Sequence, residues 1–373
     1  MKNAKSVLFR YTYSIVALIL VICTFIGCAP ENKNQTGMVD DSFVSDCRKG
    51  YENVNGNTHA NLYNDGIAAE QDGWIYFYVQ PQNGNSRSGQ ICKHKSDSNE
   101  IITIATFDKV AERLSVKGDY IYYLYSGNDL HKMRTDGSDI QDVFTNDEHD
   151  ESNYMIIGDY IYLTKESKYS STYSSTSVVR YNINNMNDYE TIYSLNENDK
   201  FCGVTGNYVV VKENRQNYDE ETLRIYNMET GETFEHSCAI GTYFAGIQLT
   251  ENAVYYTNDY CNSLAKLNLN DMSVITAKND GLSASAINFI DENTIYLTLG
   301  NWQTAIFGSA NLLVNLSFDL VNRGQYYEIV EESATKICVV GDWIYYTSGS
   351  PGLENYCRIK TDGTGWEMLY EFK

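Results

Sequence analysis

The chain has 373 residues, with 28 Lys and Arg against 49 Asp and Glu for a formal charge of −21, and 43% of its residues are hydrophobic. That length suits one large domain or two smaller ones, and 32 Tyr and 13 Phe against 3 Pro exclude low-complexity disorder. The acid excess excludes partners gripped through basic patches, nucleic acid and anionic membrane surfaces among them. It keeps an exposed surface soluble, with attraction of cations, calcium included, as the alternative reading.

In chain order the first signal is at the N-terminus. Lys2, Lys5 and Arg10 precede an apolar run from Ile15 to Ile26, and no acidic residue comes before Glu31. A charged start and a short apolar core mark a secretory signal, and the run falls short of the roughly 20 residues of a comfortable span. It closes in Phe25-Ile26-Gly27-Cys28, which resembles the bacterial lipobox, with Phe25 where the pattern usually has Leu. The resemblance implies cleavage after residue 27, a diacylglycerol on Cys28, and a chain exported and held by that lipid on the extracytoplasmic face of a membrane. Removing three cations leaves 25 against 49 acids, or −24. From Cys28 to about Leu62 the sequence is polar and rich in Asn, Asp and Gly without a sustained period, which reads as a tether.

From Tyr63 to Lys373 one unit recurs. Its anchors are Trp74-Ile75-Tyr76, Tyr120-Ile121-Tyr122, Tyr160-Ile161-Tyr162, Tyr208-Val209-Val210, Ala253-Val254-Tyr255, Thr294-Ile295-Tyr296 and Trp343-Ile344-Tyr345. Each follows a turn pair such as Gly118-Asp119 or Gly341-Asp342. Alternating apolar and aromatic residues suit a half-buried strand, and such pairs suit the tight turns between antiparallel neighbours. A second strand follows, as in Leu130-His131-Lys132-Met133 and Tyr356-Cys357-Arg358-Ile359, then a turn rich in Asp, Asn, Thr and Gly, then a more polar strand. The spacing of the anchors falls in the range of a four-stranded propeller blade, roughly 40–50 residues. The expected fold is all-β: a β-propeller of seven four-stranded blades, with six blades as the alternative. The ring closes either by packing of blade seven on blade one or by a strand lent from before Tyr63.

The a–b and c–d turns are short and alike, whereas the b–c and d–a connections vary, and in a four-stranded meander these two lie on the same face. The b–c set comprises residues 80–89, 165–177, 213–221, 258–263, 300–310 and 348–355. Variable loops on a rigid scaffold are where binding concentrates, so that face is the expected functional one. Aromatic rings assigned to the b–c loops are Tyr169, Tyr173, Tyr218, Tyr260, Trp302 and Tyr356, and rings of this kind stack on sugars or grip peptides.

The anchors Gly-Asp-(Tyr/Trp)-Ile-Tyr-Tyr and Lys-Met-Arg-Thr-Asp-Gly resemble a bacterial family of exported proteins of unknown function. That family is described as having a propeller like those of low-density-lipoprotein-receptor-related proteins. The resemblance runs from about Tyr63 to Lys373 and is sharpest in units two and seven. The receptor signature Tyr-Trp-Thr-Asp is absent: the matching places read Tyr345-Tyr346-Thr347-Ser348 and Tyr255-Tyr256-Thr257-Asn258. The resemblance implies architecture and export, and no activity.

Catalytic signatures are few. There is no GxGxxG, no P-loop, no HExxH and no Gly-x-Ser-x-Gly elbow. Cys47, Cys92, Cys202, Cys238, Cys261, Cys338 and Cys357 form no CxxC pair, so zinc is not expected and they read as mostly unpaired core thiols. His59, His94, His131, His149 and His236 show no ligand spacing, His149 in its acidic loop being the one with a metal reading; neither metal nor cofactor is expected. Thr361-Asp362-Gly363-Thr364-Gly365-Trp366 resembles the Asp-box turn of sialidases but fits the repeat as a c–d hairpin. The expected function is a non-enzymatic binding module for a protein, peptide or glycan. The alternatives are an enzyme acting on carbohydrate, marked by two carboxylates within about 5–10 Å of each other, and a structural part of an envelope complex.

Overall fold

A computed structural model describes residues 56–80, 82–83, 86–87, 89–98, 100–126, 129–144, 149–170, 173–213, 221–238, 246–258, 263–278, 284–299, 312–322, 326–331, 334–349 and 354–370. The signal segment, Cys28 and the polar stretch up to residue 55 lie outside them.

Seven four-stranded antiparallel sheets follow one another, each a meander of strands a, b, c and d. Blade 1 is built from Ala68–Gln71, Trp74–Val79, Gly89–Lys95 and Ile102–Phe107, and blade 2 from Ala111–Lys117, Tyr120–Tyr125, Asp129–Arg134 and Gln141–Phe144. Blade 3 comprises His149–Ile157, Tyr160–Ser170, Tyr173–Asn182 and Asn185–Ser194, and blade 4 Asp199–Thr205, Tyr208–Glu213, Glu221–Asn227 and Thr233–Cys238. Blade 5 has Ile247–Thr250, Ala253–Asn258, Ser263–Asn268 and Val274–Lys278; blade 6 has Ala284–Phe289, Ile295–Leu299, Leu312–Leu316 and Tyr327–Val330. Blade 7 has Thr335–Val340, Trp343–Ser348, Asn355–Lys360 and Glu367–Tyr370. Six of the seven anchors open strand b, Thr294 of the blade 6 anchor standing one residue before it, and the seven-bladed ring expected from the repeat is the fold.

The strand patterns follow from radial packing. Strand b is covered on both faces by the neighbouring blades, so Ile121, Tyr122, Tyr123 and Leu124 are all buried in succession. Strand d forms the rim, and in blade 5 only Ala277 of Val274–Lys278 is buried. The basic residues of strand c have a cross-strand reason: Arg134 pairs with Tyr120 and Lys132 with Tyr122. Lys132 Nζ lies 4.7 Å from the Tyr120 ring centre, and the Arg358 guanidinium 4.2 Å from that of Trp343. Such contacts contribute about 0.5–2 kcal/mol each, more where the pair is shielded from water. The c–d turns are closed by side chains: Asp362 Oδ1 accepts from the Thr364 amide at 2.8 Å and from Thr364 Oγ1 at 2.7 Å. Asp136 with Ser138 repeats this arrangement in blade 2. The Asp362 turn is a structural hairpin, and Trp366 Nε1 donates to Tyr346 Oη at 2.9 Å across the last sheet.

Blade 7 draws all four strands from Thr335–Tyr370, and among the described residues no N-terminal strand joins it. Closure is by packing: Ile75, Phe77 and Cys92 of blade 1 share a core with Cys338, Tyr345 and Tyr356 of blade 7.

The polar segment before Tyr63 departs from its expected role. Residues from Gly56 on do not form a tether. They enter the centre of the ring, where Thr58 caps a short helix α1 (His59–Tyr63) by accepting from the Asn61 amide. The segment bonds to strand a of every blade, or, in blade 1, to its first carbonyl. Asn57 Nδ2 donates to Ala68 O of blade 1 and Leu114 O of blade 2, and the Gly56 amide donates to Ile156 O of blade 3. His59 Nε2 donates to Cys202 O of blade 4 at 2.6 Å, while Nδ1 accepts from the Leu249 amide of blade 5 at 3.2 Å. Asn64 Nδ2 donates to Ile287 O of blade 6. Asn61, fully buried, donates to Val339 O and accepts from the Val339 amide of blade 7 and from Asn288 Nδ2 of blade 6. Seven strand edges facing an axis cannot pair with one another, and buried peptide groups left unpaired are costly. Asn and His side chains supply the missing partners. The close fit demands glycine at two contacts: a Cβ on Gly56 would stand 2.9 Å from Ser115 Cβ, and one on Gly203 (φ +149°) 2.7 Å from His59 Nε2.

Candidate ligand-binding face

The face shared by the b–c and d–a connections is fixed by register. In blade 4 the start of strand a pairs with the end of strand b, Asp199 with Glu213 and Lys200 with Lys212. At the axis of this face lies a cavity of about 100 Å³, floored by α1 and walled by blades 2 to 5. Its lining includes His59, Tyr63, Arg113, Tyr154, Lys200 and Lys212.

Each cation has a structural reason to be there. Arg113 sits in a bulge of blade 2 strand a, where pairing skips from Glu112 to Ser115, with a left-handed φ of 55°. A bulge re-aims the side chain it carries, and non-glycine backbone in this region costs on the order of 1–3 kcal/mol, a strain that concentrates at functional sites. Tyr154 Oη donates to Arg113 O and holds the bulge from beneath. Lys212 Nζ lies 2.6 Å from buried Glu221 Oε1, whose second oxygen has no partner among the described residues. Lys200 is exposed at the rim and makes no ion pair among the described residues. The acids beside it are occupied: Arg224 holds Asp199 Oδ1 at 2.5 Å, Glu213 Oε2 at 2.7 Å and Glu235 Oε1 at 2.9 Å. Counting Glu221 against Lys212, the cavity wall keeps the positive charge of Arg113 and Lys200 in a chain of net charge −21.

The enclosed groups are shifted accordingly. Burial, with Arg113 adding to it, lowers the His59 pKa to about 4, so at neutral pH the ring is uncharged and fits its one-donor, one-acceptor role. Burial pushes the Cys202 thiol up to about 12 against the opposing pull of Lys212 and Lys200, and Cys238 and Cys338 likewise. Cys92, Cys202, Cys238, Cys338 and Cys357 form no disulfide among the described residues, outside which Cys47 and Cys261 lie.

Of the predicted aromatic residues, Tyr218, Tyr260 and Trp302 lie outside the described residues. Tyr169 and Tyr173 prove to belong to strands rather than to a loop. Residues 165–170 and 173–177 continue strands b and c of blade 3, with pairing from Lys165 and Ser177 out to Ser170 and Tyr173. Strand b of blade 3 has 11 residues against 6 in blade 2, so this hairpin projects about 17 Å further at 3.4 Å per residue. Tyr356 is corrected: it lies in strand c of blade 7, 2% exposed, with its ring edge-on to Tyr78 of blade 1. It packs the ring closure, because a side chain flanked by two blades is covered from both sides.

The histidines also have structural partners. His94 is buried between blades 1 and 7, His131 Nδ1 lies 3.2 Å from Asp142 Oδ1, and His236 Nε2 lies 2.8 Å from Tyr256 Oη. His149 opens blade 3, and its side chain lies outside the described set. No group of three or more metal-ligating side chains occurs among the described residues, and no described helix is long and apolar enough to cross a membrane.

The repeat reading missed Arg113, Lys200, Lys212 and His59. One signal was available: Arg113 and Lys336 both stand seven residues before a strand-b anchor, and both adopt positive φ, 55° and 52°.

No protein-family model matches the chain, and no curated protein matches it. Solved structures do. A Mycobacterium tuberculosis puromycin-hydrolyzing peptidase superposes with a TM-score of 0.58 at 9% identity, over 85% of this chain and 56% of that one. One of two prolyl endopeptidases gives 0.55 at 10% identity over 92% and 56%, and a Pyrococcus horikoshii acylaminoacyl peptidase 0.55 at 8% over 85% and 54%. The chain thus spans little more than half the length of each. At these identities the likeness is one of fold alone, and it agrees with a β-propeller read from the repeat.

Proposed function

We propose that the protein is a non-enzymatic binding module, exported and lipid-anchored through Cys28, that takes a protein, peptide or glycan ligand on the b–c and d–a face. The observation that carries this reading is the axial cavity, which opens on the face where the variable connections gather. Binding sites favour concave surfaces where apolar and aromatic side chains meet a few converging polar groups, and here Tyr63, Tyr154 and Phe201 stand beside Arg113 and Lys200. The cavity wall offers cations and rings where a glycosidase would offer two carboxylates, which favours binding over hydrolysis. The projecting blade 3 hairpin adds a second wall on the same face.

The test is a glycan and peptide array probed with the full chain, repeated with Tyr63→Ala and Phe201→Ala. Array hits lost in both variants support the reading. Hits that persist unchanged in both would remove the cavity from it.

A further inference from the structure

We infer that the axial cavity recognises a carboxylate carried on a short organic stem, and that Arg113 and Lys200 are the residues that select it. This deepens the reading above and rests on it. Three observations converge. The cavity is about 100 Å³, smaller than the engineered cavity of about 150 Å³ that admits benzene, so it accepts an end group of a ligand and not a whole sugar ring or peptide. Two cations line it without an ion-pair partner among the described residues, while the neighbouring acids Asp199 and Glu213 are held by Arg224. Leu62, Met155, Phe201 and Ile247 give the wall an apolar part, which suits a carbon stem and gives nothing to a free inorganic anion.

The chemistry of the two cations differs usefully. A planar guanidinium presents paired N–H donors that match both oxygens of one carboxylate, whereas an ammonium acts as a point charge. Arg113, fixed by its bulge and by Tyr154, is the orienting group, and exposed Lys200 adds charge at the mouth. Glu221 holds Lys212 in place and opposes a second negative charge, so the site matches a single carboxylate better than a doubly charged phosphate. The carboxylate can come from an acidic sugar or from a peptide C-terminus, because both present the same end group.

The experiment is an NMR titration of the full chain with two matched pairs, N-acetylglycine against N-acetylglycinamide and D-glucuronate against D-glucose, with inorganic phosphate as a further probe. The expected result is at least one acid binding about tenfold tighter than its neutral partner, a preference that weakens as salt is raised and is lost in Arg113→Met and Lys200→Met. Which acid binds identifies the source. Lys200 is exposed, so its variant is expected to keep the wild-type melting temperature and serves as the control should Arg113→Met unfold. Acid and neutral probes binding alike, or phosphate binding tighter than both acids, would overturn the charge selection and leave the binding face standing. No probe binding, together with array hits untouched by Arg113→Met and Lys200→Met, would overturn the inference and remove the cavity from the proposed function as well.

Discussion

Arg358 in blade 7 donates from Nη1 to Nε2 of His94 in blade 1 across 2.8 Å, although 264 residues separate them in the chain. The guanidinium is fully buried. It donates twice more to Glu367 Oε2, at 2.9 and 2.6 Å, and stacks on Trp343. His94 Nδ1 lies 2.6 Å from Lys95 O, which places its proton there and leaves Nε2 to accept from Arg358 and Tyr345 Oη. The first and last blades, which no strand among the described residues joins, are thus latched by a satisfied polar network inside their common core.

Removing one partner from such a network strands the others. Arg358→Ala leaves Glu367 without its cation and takes one of the two donors from His94 Nε2, and a broken buried pair costs about 3–5 kcal/mol. Denaturant unfolding of the variant should show a loss of that size. A loss below about 1 kcal/mol, the scale of an exposed pair, would show that the latch does not hold the ring.

Acid should weaken the ring at two of its histidines. Burial, with Arg358 adding to it, lowers the His94 pKa, and burial lowers that of His59 to about 4. A folded-state pKa below the unfolded value near 6.5 means the unfolded chain binds more protons in between, so stability is kept above about pH 6.5 and falls as pH drops towards 4. The His59 shift alone corresponds to a loss on the order of 3 kcal/mol across that window. Melting temperature measured from pH 7.5 to 4.5 should decline, and less so in His59→Gln, whose amide keeps one donor and one acceptor without titrating. Equal declines in both proteins would remove His59 from the account.

Asn61 carries more of the axis than any other side chain on α1. Its amide serves Val339 twice, Asn288 and Asn57, all in a buried site. Asn61→Ala leaves several groups unpaired at about 1–3 kcal/mol each. The expected loss is about 3–6 kcal/mol by denaturant unfolding, whereas Asn61→Asp should fall between, since it keeps the acceptor and loses the donor.

The strands were legible because the repeat is written in side chains that face neighbouring blades. Tyr120 and Trp343 open strand b where the aromatic anchors place them, and Asp136 and Asp362 close the c–d turns their Asp-Gly pairs announce. Residues 56–62 were not legible, because their partners are backbone carbonyls and amides, which carry no side-chain signature. A run rich in Asn and His reads the same whether water or peptide groups satisfy it. Tyr356 was misplaced for a related reason: ring character marks a residue as sticky without saying whether a second blade covers it. The cavity was legible only in its address, the b–c and d–a face, since Arg113 and Lys200 meet there through two strands 87 positions apart in numbering.

The domain boundary follows from the axial contacts and not from the repeat. A chain begun at residue 39 keeps Gly56 to Asn64 and should fold with a single sharp transition. A chain begun at Asp65 retains all seven sheets in sequence yet loses the groups that bond to their inner strands, from Asn57 on Leu114 O to Asn61 on Val339. It should be expanded or aggregated, judged by size-exclusion and near-ultraviolet circular dichroism, because inner edges left unpaired are templates for association. Adding a synthetic peptide of residues 55–64 to the shorter chain during refolding should recover part of the native signal, and one carrying Ala at the Asn61 position should recover less. A shorter chain that folds as cooperatively as the longer one would show that the seven sheets close without their pin.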